Sequence, residues 1–220
     1  NTAGTKAVAD IVEIADKMGF EALYIENPNR ENSFLKKMKR QMIYLKRWNK
    51  VYSDIEDNSL VLLQEPFRTK QLGRRNVLFR LKQRKKVKFI VLVHDVEELR
   101  KFLYNEYYKE EFSDMCVLAD AIIVHNSVMK EFFIKKGIPK EKIVVLEIFD
   151  YLQDNCSKCC DLPKFERKIT IAGNLDPTKC QYIAELKELH VLKIQLYGPN
   201  FDNTLKEYTN ISYGGSLPSN

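Results

Sequence analysis

The sequence predicts an α/β protein built from parallel sheets. Helical patterns and short runs of Val, Ile and Leu alternate along most of the 220 residues. Continuously apolar strands are typical of parallel sheets that helices cover on both faces. The alternation lapses once, between residues 150 and 167, and then begins again. We therefore expect a Rossmann-like N-terminal domain over residues 1–149, a linker over 150–167 and the start of a second Rossmann-like domain over 168–220.

The first elements follow from hydrophobic periodicity. The stretch TKAVADIVEIADKMGF predicts a helix that ends at Gly19, and the short run EALYI after it predicts a strand. A second helix is predicted over SFLKKMKRQMIYLKRWNKVY, and its apolar stripe comprises Leu35, Met38, Met42 and Leu45. The run SLVLLQEP predicts a strand that its proline ends.

The same alternation continues to the end of the chain. Helices are predicted over GRRNVLFRLKQRKK, EEFSDMCVLAD and SVMKEFFIKKGI, and strands over VKFIVLVHD, AIIVHN and KIVVLEI. After the linker, KITIAGN and VLKIQLYG predict strands with a helix through QYIAELKEL between them. A helix in such a sheet normally follows a strand, and a complete second domain needs ~100 residues or more. We therefore expect a first strand before the chain begins and the rest of the second domain after it ends.

Composition and charge restrict the class of protein. No apolar run is long enough to span a bilayer, and the five cysteines are too sparse for a secreted disulfide framework, so we expect a cytoplasmic protein. The net charge of +6 is concentrated in the first half. Between Arg30 and Lys50 the one acidic residue is Glu31, and none occurs from Phe67 to Lys88. This distribution favours an anionic partner such as a membrane surface, a nucleic acid or a nucleotide.

Ligands of open α/β sheets bind outside the carboxyl ends of the strands. His94 and Asp95 follow one predicted strand. A histidine beside a carboxylate is able to accept a proton or to bind a sugar hydroxyl or phosphate. The alternative is that Asp95 caps the next helix and His94 is structural. His125 ends the neighbouring strand, where a structural role is favoured.

Two turns are candidate anion sites. The first turn comprises Asn1, Gly4, Thr5 and Lys6. Its glycine permits close backbone approach and the following helix amides bind anions, although an N-cap role for its polar residues is the alternative. In the second turn Gly173 and Asn174 precede a predicted helix, with Lys179 nearby. The stretch GNLDPTK lacks both the dinucleotide fingerprint and the P-loop signature.

Two further patterns admit more than one interpretation. The helix over 34–50 opposes an apolar stripe to Lys and Arg, which is typical of an interfacial helix and equally of a helix that faces a core. The stretch CSKCC, with Cys180, lacks the second spaced pair of a structural zinc site. Reduced thiols are therefore favoured there.

Several stretches together resemble a known family. They are ADAIIVHNSVMKEFFIKKGI, HDVEELR and IAGNLDPTKCQYIAEL followed by LYGPNF. In this order they resemble bacterial GT-B glycosyltransferases related to the glucosyltransferase of serine-rich adhesin glycosylation and to β-1,6-galactofuranosyltransferases. The resemblance covers nearly the whole chain. It implies two Rossmann-like domains that face a cleft, with the acceptor bound mainly by the first and the sugar nucleotide mainly by the second.

The resemblance also implies roles for individual residues. His94 and Asp95 are the expected catalytic residues near the reacting sugar. The acceptor-side residues are Asn1, Gly4, Thr5 and Lys6. The donor-binding residues are Gly173, Asn174, Lys179, Tyr197 and Gly198. No cofactor or metal is expected, because helix amides and basic side chains stabilise the leaving diphosphate in such enzymes.

The implied reaction moves a hexosyl or galactofuranosyl unit from a UDP-sugar to a cell-surface glycan, glycolipid or glycoprotein. The expected location is the cytoplasm, peripheral to the inner face of the membrane. An anionic membrane surface and a second copy of the chain are further candidate partners. Two other functions stay open, a basic nucleic-acid-binding protein and a non-catalytic partner subunit, although no nucleic-acid-binding module is recognised in the sequence.

Overall fold

The computed structural model describes residues 3–28, 33–67, 69–100, 106–147, 152, 167–178 and 180–216. Its helices are α1 Ala3–Lys17, α2 Phe34–Asp54, α3 Arg74–Arg84, α4 Glu97–Arg100, α5 Glu106–Leu118, α6 Ser127–Lys135 and α7 Tyr182–Glu185. Its strands are β1 Leu60–Glu65, β2 Lys88–Val93, β3 Ala121–Val124, β4 Ile143–Val145, β5 Lys168–Ala172, β6 Lys193–Tyr197 and β7 Ile211–Tyr213. Short 3₁₀ helices occupy Lys140–Lys142, Leu186–Glu188 and Asn203–Glu207.

The first four strands form a sheet that is parallel throughout, in the order β1-β2-β3-β4. Glu65 of β1 lies beside Val93 of β2, which lies beside Val124 of β3. The carboxyl ends of these three strands are therefore level with one another. The predicted α/β class with parallel sheets is confirmed, and the four strands predicted in this part of the chain after EALYI are all present.

One face of this sheet carries the main hydrophobic core. Phe89, Val91 and Ile122 are fully buried on it. Because parallel connections are right-handed, a consecutive strand order places the helices that follow β1, β2 and β3 on the same face. On the opposite face Ile90 is half-buried and Val144 is exposed. The sequence predicts that helices cover both faces of the sheet. In the described part of the chain one face is fully covered, whereas the other is covered only in part.

Helix α2 packs against the core mainly through its aromatic side. Tyr44, Trp48 and Val51 are buried at helical spacing. Trp48 Nε1 donates to Gln71 Oε1 at 2.9 Å, and the Tyr44 hydroxyl donates to Asn27 Oδ1 at 2.8 Å. The aromatic rings remove more apolar surface from water than the predicted stripe would, so they face the core. Of the two interpretations of the apolar stripe, the one in which it faces the core is wrong for its exposed residues, which are Leu35, Met38 and Met42.

The segment EALYI is not a strand, contrary to the prediction. Leu23 and Tyr24 are exposed, whereas Ile25 packs against the core. A short apolar run becomes a strand where a neighbouring strand accepts its backbone hydrogen bonds, and none of the described strands does so. Helix α4 and strand β7 are elements that the sequence pattern did not predict.

The remaining strands form a separate parallel sheet in the order β5-β6-β7. Its buried core consists of Leu175, Ile183, Ile194, Leu196, Leu205 and Ile211. The chain divides into a larger compact unit, Lys6–Leu152, and a smaller one that contains the described residues from Arg167 onward. The helix predicted through QYIAELKEL is reduced to the four residues of α7 and a 3₁₀ helix. None of the helices in the described ranges is long and apolar enough to cross a membrane.

Candidate active site

Polar side chains meet at the carboxyl edge of the four-stranded sheet. His94 and Asp95 follow β2, His125 follows β3, and Gln64 is the penultimate residue of β1. His94 Nε2 lies 2.7 Å from Gln64 Oε1, and the centroids of the two histidine rings are 5.7 Å apart. The N–H of His94 donates to the carbonyl of Glu65 at 2.8 Å, which holds His94 beside β1. The structure thus places the two predicted catalytic residues beside a second histidine and a glutamine.

The hydrogen bonds of Gln64 determine which nitrogen of His94 carries the proton. Gln64 Nε2 donates to the carbonyl oxygen of Val8 in α1 at 3.3 Å. The amide oxygen of Gln64 therefore faces His94, and an amide oxygen accepts but does not donate. A neutral His94 consequently carries its proton on Nε2 and leaves Nδ1 unprotonated. Nδ1 is then the ring nitrogen that is able to take a proton from a hydroxyl group.

Burial favours the neutral form of both histidines. Desolvation lowers the pKa of His94, the neighbouring His125 lowers it further, and Asp95 opposes the change. Desolvation likewise lowers the pKa of His125, again against the effect of Asp95. The neutral imidazole is the form that acts as a general base. The edge therefore holds two histidines in the basic form at neutral pH.

Acidification is expected to destabilise the larger unit through these histidines. An unfolded chain binds a proton at each near pH ~6.5, whereas the folded chain binds it at a lower pH because both pKa values are lowered. Between those pH values the unfolded state holds more protons, so the free energy of unfolding falls as the pH falls. Urea unfolding at about pH 7 and about pH 5 measures this loss. The double variant His94→Gln, His125→Gln should lose less than the wild type, and an equal loss would contradict the account.

A buried ion pair closes the β1 side of this edge. Arg74, the first residue of α3, donates to Glu65 Oε1, and Glu65 Oε2 accepts the N–H of Phe67 at 3.0 Å. The Arg74 guanidinium also lies over the Phe67 ring, 4.3 Å from its centroid. Both charged residues are buried. The pair therefore fixes the loop between β1 and α3 next to the backbone of His94.

The predicted first turn is part of a helix. Helix α1 begins at Ala3, so the prediction that Gly4 forms a turn before the helix is wrong, whereas Thr5 and Lys6 lie in the helix as the stretch TKAVADIVEIADKMGF predicts. The short sequence pattern of the turn was compatible with a helical first turn, since Thr and Lys tolerate both conformations. Asn1 lies outside the described residues. The acceptor-side role of this group stays a prediction.

Lys6 has structural contacts of its own. Its ammonium pairs with Asp10 one turn along α1 and donates to the carbonyl of Leu152 at 2.8 Å. The buried carboxylate of Asp10 accepts the N–H of Leu152 at 3.1 Å. Lys6 and Asp10 together therefore satisfy both backbone groups of Leu152 and attach it to α1.

The smaller unit brings four of the predicted donor-binding residues to the carboxyl edge of its sheet. Gly173 and Asn174 follow β5, Tyr197 ends β6, and Gly198 comes next. The N–H of Gly173 donates to the carbonyl of Tyr197 at 3.0 Å. Asn174 Oδ1 accepts a hydrogen bond from Asn200 Nδ2 at 3.0 Å. These contacts join the ends of the two strands into one backbone surface.

The helix that was expected to give this turn its anion affinity begins eight residues after Asn174. Helix α7 starts at Tyr182, and the Asn174 side chain instead accepts the N–H of Asp176 at 3.1 Å in a local turn. Gly173 and Asn174 therefore precede the predicted helix without leading directly into it, because the side chain of Asn174 bonds to the backbone of a local turn. Lys179 lies outside the described residues. The donor-binding role of these residues stays a prediction.

Replacement of Gly198 by alanine is expected to disrupt this edge. Gly198 has a φ of +139°, and an added Cβ would overlap the carbonyl oxygen of Gly173. We expect the free energy of unfolding of the smaller unit to fall by about 1–3 kcal/mol, since overpacking against backbone is relieved only by backbone movement. Gly215→Ala is the matched control, because Gly215 also has a positive φ but open space around it. Hydrogen exchange of the β5–β7 amides measures both variants, and equal protection in the two would contradict the prediction.

The cysteines in the described part of the chain form no metal site. No group of three or more His, Cys, Asp or Glu side chains is placed there to hold a metal ion. The cysteines of CSKCC lie outside the described residues. Desolvation raises the pKa of the Cys116 thiol to about 11, so it stays protonated. Cys180 Sγ contacts the carbonyl of Asn174 at 3.1 Å.

The wider assignment comes from comparison with known proteins. The family described as glucosyltransferase 3-like, N-terminal domain, matches residues 1–148. This range contains the four-stranded sheet and its carboxyl edge, where His94 and His125 lie. The chain belongs to the glucosyltransferase 3-like family. The predicted relationship to this group of glycosyltransferases is thus confirmed.

Two curated relatives of this glucosyltransferase 3-like chain are also glycosyltransferases by name. Beta-1,6-galactofuranosyltransferase WbbI of Escherichia coli (strain K12) is 29% identical over 118 residues, which cover 54% of this chain and 32% of the relative. Glucosyltransferase 3 of Streptococcus gordonii is 25% identical over 128 residues, which cover 58% of this chain and 35% of the relative. The aligned part of the chain therefore spans about a third of the length of these relatives.

In this glucosyltransferase 3-like protein, sequence reasoning missed Gln64 as a member of the site. It also favoured a structural role for His125, which the structure places 5.7 Å from the His94 ring, between centroids. The available signal was the position of both residues at predicted carboxyl ends, in QEP and VHN. Parallel strands bring such ends to one edge of the sheet.

Proposed function

We propose that the chain is part of a glycosyltransferase of GT-B architecture that uses a UDP-sugar. It transfers a hexosyl or galactofuranosyl unit to a cell-surface glycan, glycolipid or glycoprotein on the cytoplasmic side of the membrane. The larger unit binds the acceptor and the smaller unit binds the donor. The observation that carries the proposal is the family match over the unit whose sheet edge holds a neutral histidine pair.

The proposed chemistry is a single displacement at the anomeric carbon of the sugar. His94 Nδ1 takes the proton of an acceptor hydroxyl, and the hydroxyl oxygen forms a bond to that carbon. The bond between the carbon and the diphosphate oxygen breaks, and UDP leaves with the electron pair. The hydrogen bond from His94 Nε2 to Gln64 supports this role, because it orients the ring and holds the proton on Nε2. Nδ1 is then free of a proton of its own and accepts one from the hydroxyl.

The leaving diphosphate needs stabilisation on the donor side. We propose that the backbone at the carboxyl edge of the smaller sheet approaches the diphosphate closely at Gly173, where no atom lies within 4 Å of the position that a Cβ would take. Lys179 supplies positive charge in this proposal. The stabilisation comes from amides and cations and needs no bound metal.

The two other candidate functions make different predictions. A nucleic-acid-binding protein would bind random oligonucleotides with a strong dependence on salt and would ignore sugar nucleotides. A non-catalytic partner subunit would keep the fold and bind no donor. The basic charge of the first half is compatible with the former, and no described feature favours the latter.

A sugar-nucleotide binding screen on the product of the complete gene tests the proposal. UDP, UDP-glucose and UDP-galactofuranose should raise the melting temperature, because a ligand that binds only the folded state stabilises it. GDP-mannose and a random oligonucleotide serve as matched anionic controls and should have little effect. Stabilisation by the oligonucleotide alone would overturn the proposal in favour of nucleic-acid binding.

A further inference from the structure

Helix α2 presents apolar and cationic side chains to solvent between residues 34 and 46. The apolar ones are exposed by 73% at Phe34, 74% at Leu35, 54% at Met38 and 59% at Met42. The cationic ones are the exposed lysines Lys36, Lys37, Lys39 and Lys46. The sequence has no acidic residue from Ser33 to Ser53. We call these eight residues the α2 surface.

Most of the α2 surface, namely Leu35, Met38, Lys39, Met42 and Lys46, lies on the side of the helix away from the core. Lys37, seven residues before the buried Tyr44, lies on the core-facing side at the exposed beginning of the helix. Val51 is buried, and Met42 is nine residues before it. At 100° per residue this separation corresponds to about 180° around the helix axis. The core-facing interpretation of the apolar stripe therefore fails, and the alternative interpretation, an interfacial helix, fits the observed exposure.

We propose that the α2 surface docks the protein onto an anionic phospholipid membrane. The apolar side chains enter the boundary between headgroups and acyl chains, as those of interfacial amphipathic helices do. The lysines beside them contact the phosphates, and their long side chains reach the headgroups from a partly inserted helix. The positive charge of the α2 surface is thus complementary to the negative headgroups of the membrane into which its apolar side chains insert.

Other occupants fit the α2 surface less well. A symmetric contact with a second copy would place the same lysines opposite one another, where like charges repel. A nucleic acid would satisfy the lysines, but three of the four apolar residues of the surface, Leu35, Met38 and Met42, are not aromatic, and Phe34 offers a ring for one base only. The inference is independent of the proposed function, because docking requires neither a donor nor a catalytic residue.

Co-sedimentation with vesicles tests the proposal directly. The chain should bind vesicles of phosphatidylcholine mixed with phosphatidylglycerol and should not bind phosphatidylcholine alone. Each lysine near such a surface strengthens binding about fivefold, so Lys37→Gln, Lys39→Gln, Lys46→Gln should weaken it about a hundredfold. Added salt should weaken the binding of the wild type more than that of this variant, because the variant retains fewer of the charges whose attraction salt screens.

A matched variant separates local from general charge. Arg84→Gln, Lys135→Gln, Lys140→Gln removes three exposed positive charges elsewhere in the larger unit and should bind nearly as the wild type does. Leu35→Gln, Met38→Gln keeps every lysine and should still weaken binding. Equal losses of vesicle binding in the two variants that each remove three positive charges would overturn the proposal. So would a shift of Leu35→Gln, Met38→Gln from dimer to monomer in size-exclusion chromatography without a change in vesicle binding, since the surface would then join two copies.

Discussion

His94→Ala should lower the rate of sugar transfer by roughly 10²–10⁴-fold, the range typical of a lost general base. The imidazole of His94 lies at the carboxyl end of β2. Its Nε2 is hydrogen-bonded to Gln64 Oε1 at 2.7 Å, so Nδ1 is the unprotonated nitrogen that accepts the proton. Binding of UDP should stay nearly unchanged, because the proposed donor site is in the smaller unit. The measurement is the initial rate of transfer and the dissociation constant of UDP for the product of the complete gene. If His94→Ala turned over as fast as the wild type, His94 would not be the base and its role would be structural.

Two further variants distinguish a base from a residue that merely supports the fold. His190 is exposed in the smaller unit, so His190→Ala is a matched control and should leave the rate unchanged. Gln64→Glu places a carboxylate at 2.7 Å from His94 Nε2, where it favours the protonated imidazole. The acid limb of the pH–rate profile should therefore move to higher pH in Gln64→Glu. An unmoved limb in this variant, with normal folding, would show that His94 does not act as the base.

Arg74→Met should lower the free energy of unfolding by about 3–5 kcal/mol, because it leaves the charge of Glu65 buried without its partner. Both residues are buried at the carboxyl end of β1, where Glu65 also accepts the N–H of Phe67 at 3.0 Å. Urea unfolding measures the loss. Transfer should fall as well, since the loop between β1 and α3 lies beside the backbone of His94.

The neighbouring residue provides the matched control for this pair. Arg75 is exposed and pairs with Asp114 at 2.8 Å, so Arg75→Met should cost no more than about 1 kcal/mol. The double variant Arg74→Met, Glu65→Leu removes both charges and should recover much of the stability that Arg74→Met loses. If Arg74→Met and Arg75→Met had equal effects, the buried pair would not hold this edge of the sheet.

The parts of the fold that sequence predicted are those set by local patterns. The run VKFIVLVHD is apolar at every position that β2 buries, so its strand and its end at His94 could be read directly. The face of α2 that packs on the core could not be predicted, because the helix carries two apolar arcs at helical spacing on different sides. Which arc faces inward depends on Tyr44 and Trp48 finding partners in Asn27 and Gln71, and these contacts join distant parts of the chain.

The same distinction separates the site residues. His94 was predicted because a polar residue at a strand end is visible in the sequence. Gln64 was not, since its contact with His94 depends on the register of β1 against β2 and on Val8 in α1. The turn at Gly173 was located correctly after β5, but Asn174 delays the next helix through its own hydrogen bond with Asp176. That competition is invisible in a periodicity analysis.

A glycosyl transfer assay tests most directly whether the chain is part of a UDP-sugar-dependent glycosyltransferase. The product of the complete gene is incubated with a UDP-sugar and a bacterial cell-surface glycan acceptor, in the presence of a metal chelator. The account predicts that the acceptor gains the mass of one sugar residue for each UDP released, as the proposed displacement requires. Intact UDP-sugars and an unchanged acceptor, from a protein whose UDP binding and folding are verified, would contradict it.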